Sequence, residues 1–172
     1  MLSRYSKRER ERGVTLLEVM TAATLSATMM MSSFVVLRSS YTAWVAHEAD
    51  LDRTGNAMAV LRHLVQNIRQ CVSVADITAA TEGSGSLTIV MADGEHRQWS
   101  CSSGAVTLSI DGASAQPLAN DIASLNFVGY EADGVTPSTD PSSIQAIRAV
   151  VTTQQPAGGT RTVSSYTWVR SW

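Results

Sequence analysis

Residues 19–37 run for 19 positions without a charged side chain, and with Val14–Leu17 on the other side of Glu18 the apolar segment reaches 24 residues. A helix rises about 1.5 Å per residue and needs roughly 20 residues to cross the hydrocarbon core of a bilayer. The segment is therefore long enough to span one. Arg4, Lys7, Arg8, Arg10 and Arg12 outweigh Glu9 and Glu11 before it, so residues 1–13 carry +3 and the rest of the chain −5. Glu48, Asp50 and Asp52 lie beyond the far end. The positive-inside rule places the N-terminus in the cytoplasm and the body of the chain outside. A cleavable secretory signal would begin in the same way, but it needs an apolar core of roughly 7–15 residues and a small-residue cleavage site. Here the run is longer, an acid interrupts it, and no clean Ala-x-Ala follows.

The segment also holds Thr15, Thr21, Ala22, Ala23, Thr24, Ser26, Ala27, Thr28, Ser32 and Ser33. Small and hydroxylated residues let helices approach closely and hydrogen-bond across the contact. This composition favours a helix that packs on other helices over a plain anchor.

The helical pattern continues past the membrane. Residues 38–70 contain no proline and one glycine, Gly55. Leu51, Met58, Leu61, Leu64, Val65 and Ile68 recur at helical spacing, with Arg53, Arg62 and Arg69 mostly on other faces. The simplest reading is one helix from Val14 to Gln70, about 85 Å long, with Gly55 as a point where it bends or breaks. Its half at 14–37 lies in lipid, and its half at 38–71 is amphipathic and docks on a globular domain at 72–172.

In that domain the period changes. Leu87, Ile89 and Met91 alternate and meet Asp93-Gly94; Trp99 and Cys101 share a face; after Ser103-Gly104, Val106, Leu108 and Ile110 alternate up to Asp111-Gly112. These are three strands joined by tight turns. Further strands are expected within 121–130 (Leu125, Phe127), within 144–153 (Ile147, Ala149, Val151) and at the end of the chain, where Val163, Ser165, Thr167 and Val169 oppose Tyr166 and Trp168. Residues 131–143 and 154–160 read as loops. A helix followed by strands makes an α+β fold, with the long helix packed on one face of an antiparallel sheet.

Cys71 and Cys101 are the two cysteines. An even count on the exported side favours a disulfide over two separate buried thiols. The bond would close a loop of about 30 residues and stabilise by roughly 3–4 kcal/mol.

No catalytic constellation is present in the sequence. His47, His63 and His96 are far apart, and there is no HExxH, zinc-type cysteine spacing or GxSxG. TEGSGS at 81–86 lacks the Gly-Lys-Ser/Thr of a phosphate loop and reads as a connector. Asp133 and Asp140 sit in a loop without the dense oxygen ligands of a calcium site. The acidic body argues against nucleic-acid binding. The expectation is a protein that is not an enzyme and holds no metal or cofactor.

Glu18 is then the most informative residue. A carboxylate in a membrane helix costs on the order of 2.5–3.5 kcal/mol at mid-bilayer and marks a partner. The stretch from Gly13 to Val19, GVTLLEV, with its short basic leader, closely resembles the processing site of the type IV prepilin family. That resemblance implies that a prepilin peptidase cuts after Gly13 and methylates the new N-terminus at Val14, with Glu18 as the glutamate at the fifth mature position. Val14 stands where the family most often has phenylalanine. The C-terminal half, with LANDIASLNFVGYEADG at 118–134 and the ending YTWVRSW, is similar in layout to minor pilins of the W type and J-type minor pseudopilins of type II secretion. Major pilins commonly carry glycine or proline in the membrane half of the helix. This chain has neither between Val14 and Thr54, which points to a low-copy tip or priming subunit.

The resemblance implies residence in the inner membrane with a periplasmic β domain, then in a pilus or pseudopilus. Its partners would be prepilin peptidase and other pilin-like subunits. Cleavage would remove the +3 leader and create an α-amine at Val14, largely cationic at neutral pH. That amine, in the same chain or a neighbour, would pair with Glu18 and set register. The alternative reading is a monomeric, membrane-anchored extracytoplasmic binding module, and a third is an anchored hydrolase.

Overall fold

A computed structural model of the protein describes residues 14–79, 84–155 and 158–169. One helix, α1, spans Leu16–Ile68 without a break, about 80 Å by helical rise. It starts and ends two residues inside the expected bounds. Gly55 does not interrupt it, and a Cβ added there would meet nothing within 4 Å.

Among the described residues nine strands follow: β1 (Cys71–Ile77), β2 (Ser86–Met91), β3 (His96–Ser102), β4 (Ala105–Ile110), β5 (Gln116–Asn120), β6 (Ile122–Tyr130), β7 (Pro137–Ser138), β8 (Ala146–Gln154) and β9 (Thr160–Trp168). They form two antiparallel sheets, one in the order β1-β2-β3-β4-β5 and one in the order β7-β6-β8-β9. The expected meander is β2–β3–β4. Its second hairpin turns at Ser103-Gly104, where φ is +52° and +79°. Two consecutive left-handed residues match the right-handed twist of the flanking strands. The expected single sheet is instead two, and β1, β5 and β7 are additions to the expected strands.

The chain divides into two units, Met1–Val45 and Ala46–Trp172. In the first, the described residues are helical from Leu16 and nearly all exposed. In the second, Ala57, Val60, Leu61, Leu64 and Ile68 form the buried ridge of α1. This corrects the expected stripe: Leu51 and Met58 are 56% and 47% exposed. The ridge joins Leu87, Ile89 and Trp99 of the first sheet and Leu125, Phe127, Ile147 and Val151 of the second in one core. Each fully buried aliphatic side chain there contributes roughly 1.5–3 kcal/mol.

The expected disulfide is absent. Cys71 and Cys101 are both buried free thiols. Cys71 pairs with Met91 on β2, whereas the β2–β3 register sets Cys101 opposite position 85. The two cysteines therefore sit near opposite ends of β2, roughly 20 Å apart along the strand direction, and a disulfide needs Cα atoms within about 7 Å. Cys71 Sγ instead donates to the carbonyl of Ile68 at 3.1 Å. Burial pushes its pKa up to about 11 and raises that of Cys101 as well.

Candidate functional site

The start of α1 is built by two side chains. The Thr15 N–H and Oγ1–H both donate to Glu18 Oε2, at 3.1 and 3.2 Å, and the Glu18 N–H donates back to Thr15 Oγ1 at 3.3 Å. This is a reciprocal capping box, with Thr15 as N-cap and Glu18 at the third helical position. It satisfies backbone donors that the first turn leaves without partners and sets a negative charge at the positive end of the helix dipole. The Thr-x-x-Glu spacing carries this signal in the sequence. Val14 is exposed immediately before the cap. Gly13 and the leader at 1–13 lie outside the described residues, as does part of the connector at 81–86 and of the loop at 154–160.

Five hydroxyls of the apolar segment are satisfied within the helix. Thr21, Thr24, Thr28, Ser32 and Ser33 each donate to a carbonyl three or four residues back, at 2.8–3.0 Å. Such internal bonds remove the cost of carrying hydroxyls in lipid. Close approach of another helix is left to the small size of these residues.

α1 is long and apolar enough to cross a membrane, and none of its apolar window is buried in the protein. Tyr41 and Trp44, which sequence reasoning passed over, pack with ring centroids 6.4 Å apart and are exposed. From Glu18 to Tyr41 the helix climbs about 35 Å, slightly more than the ~30 Å hydrocarbon core. Aromatic rings collect at that boundary. Exposed apolar side chains recur on both sides of it. Leu37 is 68% exposed and Trp44 60%, and Leu51 and Met58 follow at the same seven-residue interval. Residues seven apart lie on nearly the same side of a helix.

A second group missed in the sequence lies where α1 meets β3. Trp99 Nε1–H donates to His63 Nδ1 at 3.3 Å, Asn67 Nδ2 donates to the His63 carbonyl at 2.7 Å, and Arg97 bonds both Asn67 Oδ1 and Glu95. Burial, and then the Arg97 charge, lower the His63 pKa. This network fixes the helix on the sheet with every buried polar atom of Asn67 used.

Asp133 and Asp140 are engaged separately. Each accepts bonds from its own turn, Asp133 from Val135 and Thr136 and Asp140 from Ser142. Those bonds hold both carboxyls below their ordinary pKa. Among the described residues, no three His, Cys, Asp or Glu side chains gather as a metal set. Comparison with protein-family models, with curated protein sequences and with solved structures finds no match.

Proposed function

We propose that this chain is a minor pilin or pseudopilin. It is a structural subunit inserted with its N-terminus in the cytoplasm, cut between Gly13 and Val14 by a prepilin peptidase, and packed through α1 into a type IV pilus or a type II secretion pseudopilus. The observation that carries this reading is that the exposed apolar residues of α1 outrun the membrane. A bilayer accounts for those up to about Leu37. Past the Tyr41–Trp44 pair, Leu51 and Met58 continue the series and remain exposed. A monomeric anchored module has no use for them, whereas a bundle of like helices buries them.

The resemblance of residues 13–19 to the prepilin processing site supports the same reading. Cleavage would leave Val14 as the terminus, one residue ahead of the Thr15–Glu18 cap. The cap occupies Glu18 Oε2, and Oε1 takes no bond among the described residues. A neighbouring subunit's α-amine would bind there, neutralising the acid as helices pack.

The test is incorporation. Leu51→Glu and Met58→Glu change exposed positions and leave membrane insertion intact. Their recovery in sheared filaments or cross-linked pseudopili should drop about tenfold or more, the loss for roughly 1.4 kcal/mol of contact. Recovery at the level of the unmodified protein would remove the support.

A further inference from the structure

We propose that β9 is a self-pairing edge at which two copies of this chain join their four-stranded sheets antiparallel about a two-fold axis through Ser164. The proposal stands apart from the filament reading and survives its failure.

Among the described residues the two sheets end in four edge strands, and three of these are blunted. β1 carries two register shifts and Asp76. β5 contains Pro117 and faces a register shift. β7 is two residues long and begins with Pro137. These are the devices that keep edges from pairing with other chains. β9 has none of them. It is nine residues long, pairs with β8 in unbroken register from Gln154↔Thr160 to Ala146↔Trp168, and contains no proline or lysine. Its one charge, Arg161, is held by Asp50 Oδ2 at 3.3 Å and Thr54 Oγ1 at 3.2 Å. On its outer side, alternate residues present both N–H and C=O. Among the described residues no strand pairs there.

The occupant follows from the residue order. β9 reads TRTVSSYTW, with threonines in its first half and aromatic residues in its second. Antiparallel pairing about Ser164 sets Trp168 opposite Thr160 and Tyr166 opposite Thr162, each twice by symmetry. Aromatic side chains opposite β-branched ones are favourable cross-strand pairs. Arg161 faces Thr167 across the pair, and the cation beside the axis is Arg148, whose Nη2–H donates to Ser164 Oγ at 3.5 Å. Tyr166 and Trp168 are exposed and packed edge-on at 6.0 Å, and Tyr166 Oη–H donates to the Gly134 carbonyl at 3.1 Å. The rings are thus already held in place. A two-fold contact uses the same surface on both copies and closes on itself.

The register gives the test. In the full chain in detergent micelles, Ser164→Cys puts two thiols directly opposite, with Cα atoms about 4.5–5.5 Å apart, within disulfide reach. Thr162→Cys puts them four residues out of register, roughly 13 Å apart. Cys71 and Cys101 are buried and give little background. Mild oxidation should convert most of the Ser164→Cys protein to a covalent dimer and leave Thr162→Cys at background. Thr162→Cys combined with Tyr166→Cys should cross-link again. Failure of Ser164→Cys to cross-link, or equal cross-linking at 162 and 164, overturns the proposal. Ser164→Lys, at an exposed position, should convert dimer to monomer in sedimentation; an unchanged dimer would also overturn it.

Discussion

Thr15 and Glu18 bond each other in both directions at the first turn of α1, the N–H and hydroxyl of one to the carboxylate of the other and the N–H of the second back to the hydroxyl of the first. Glu18 therefore has two separable properties, a capping geometry and a charge. Glutamine serves the same cap, so Glu18→Gln keeps the first turn and removes the charge. The account predicts that Glu18→Gln is processed normally but is lost from assembled filaments. Thr15→Ala, which weakens the cap by roughly 1 kcal/mol, should remain incorporated. Filament fractions probed for both variants decide between charge and cap.

The His63–Trp99 bond makes stability depend on pH. The folded state lowers the His63 pKa through burial and Arg97, and Trp99 needs the neutral ring as acceptor. The unfolded chain thus binds the proton more readily. This contribution is complete above the ordinary histidine value of about 6.5 and is lost as pH falls below it, through the folded-state value. Denaturant unfolding of the full chain between pH 7.5 and 5 should show the decline, and His63→Gln, which accepts the indole N–H without titrating, should flatten it.

Thr167 Oγ1 is buried and has no hydrogen-bond partner among the described residues. Removing an unsatisfied buried hydroxyl while keeping its shape relieves a desolvation penalty. Thr167→Val should stabilise the β domain by about 1 kcal/mol in denaturant unfolding.

Gly129 permits a close approach between β6 and β7. A Cβ there would lie 2.7 Å from the Ser138 carbonyl oxygen and 2.7 Å from Ile144 Cδ1. Backbone cannot give way cheaply, so Gly129→Ala should destabilise by about 1–3 kcal/mol. Gly55→Ala, with open space around it, should be neutral or slightly stabilising.

Both thiols are buried and held toward the neutral form. Thiolate is the reactive species. Titration with a thiol reagent should therefore find no rapid reaction in the native protein and two equivalents after denaturation.

Much of the architecture was legible because the chain keeps its periods clean. The absence of proline through residues 14–70 announced the long helix, and strict alternation at Leu87–Met91 and Val106–Ile110 announced the meander. β1 escaped notice for a physical reason. Its buried residues Cys71, Val74 and Ile77 fall every third position because two bulges shift its face. That spacing continues the helical rhythm of Leu64 and Ile68. β5 and β7 were hidden by prolines and shortness. The sequence placed Met58 in the core because its spacing fits helical docking, yet the buried ridge passes through Ala57 and Val60. Small residues at the contact carry little hydropathic signal. The disulfide expectation failed because an even cysteine count says nothing about which end of a sheet each cysteine occupies.

The account rests on proteolytic maturation of the N-terminus, and the most direct measurement is the intact mass of the protein extracted from the membranes of its native host. The predicted chain begins at Val14 and carries one methyl group on its amine. A functional chain that still begins at Met1 would contradict the account.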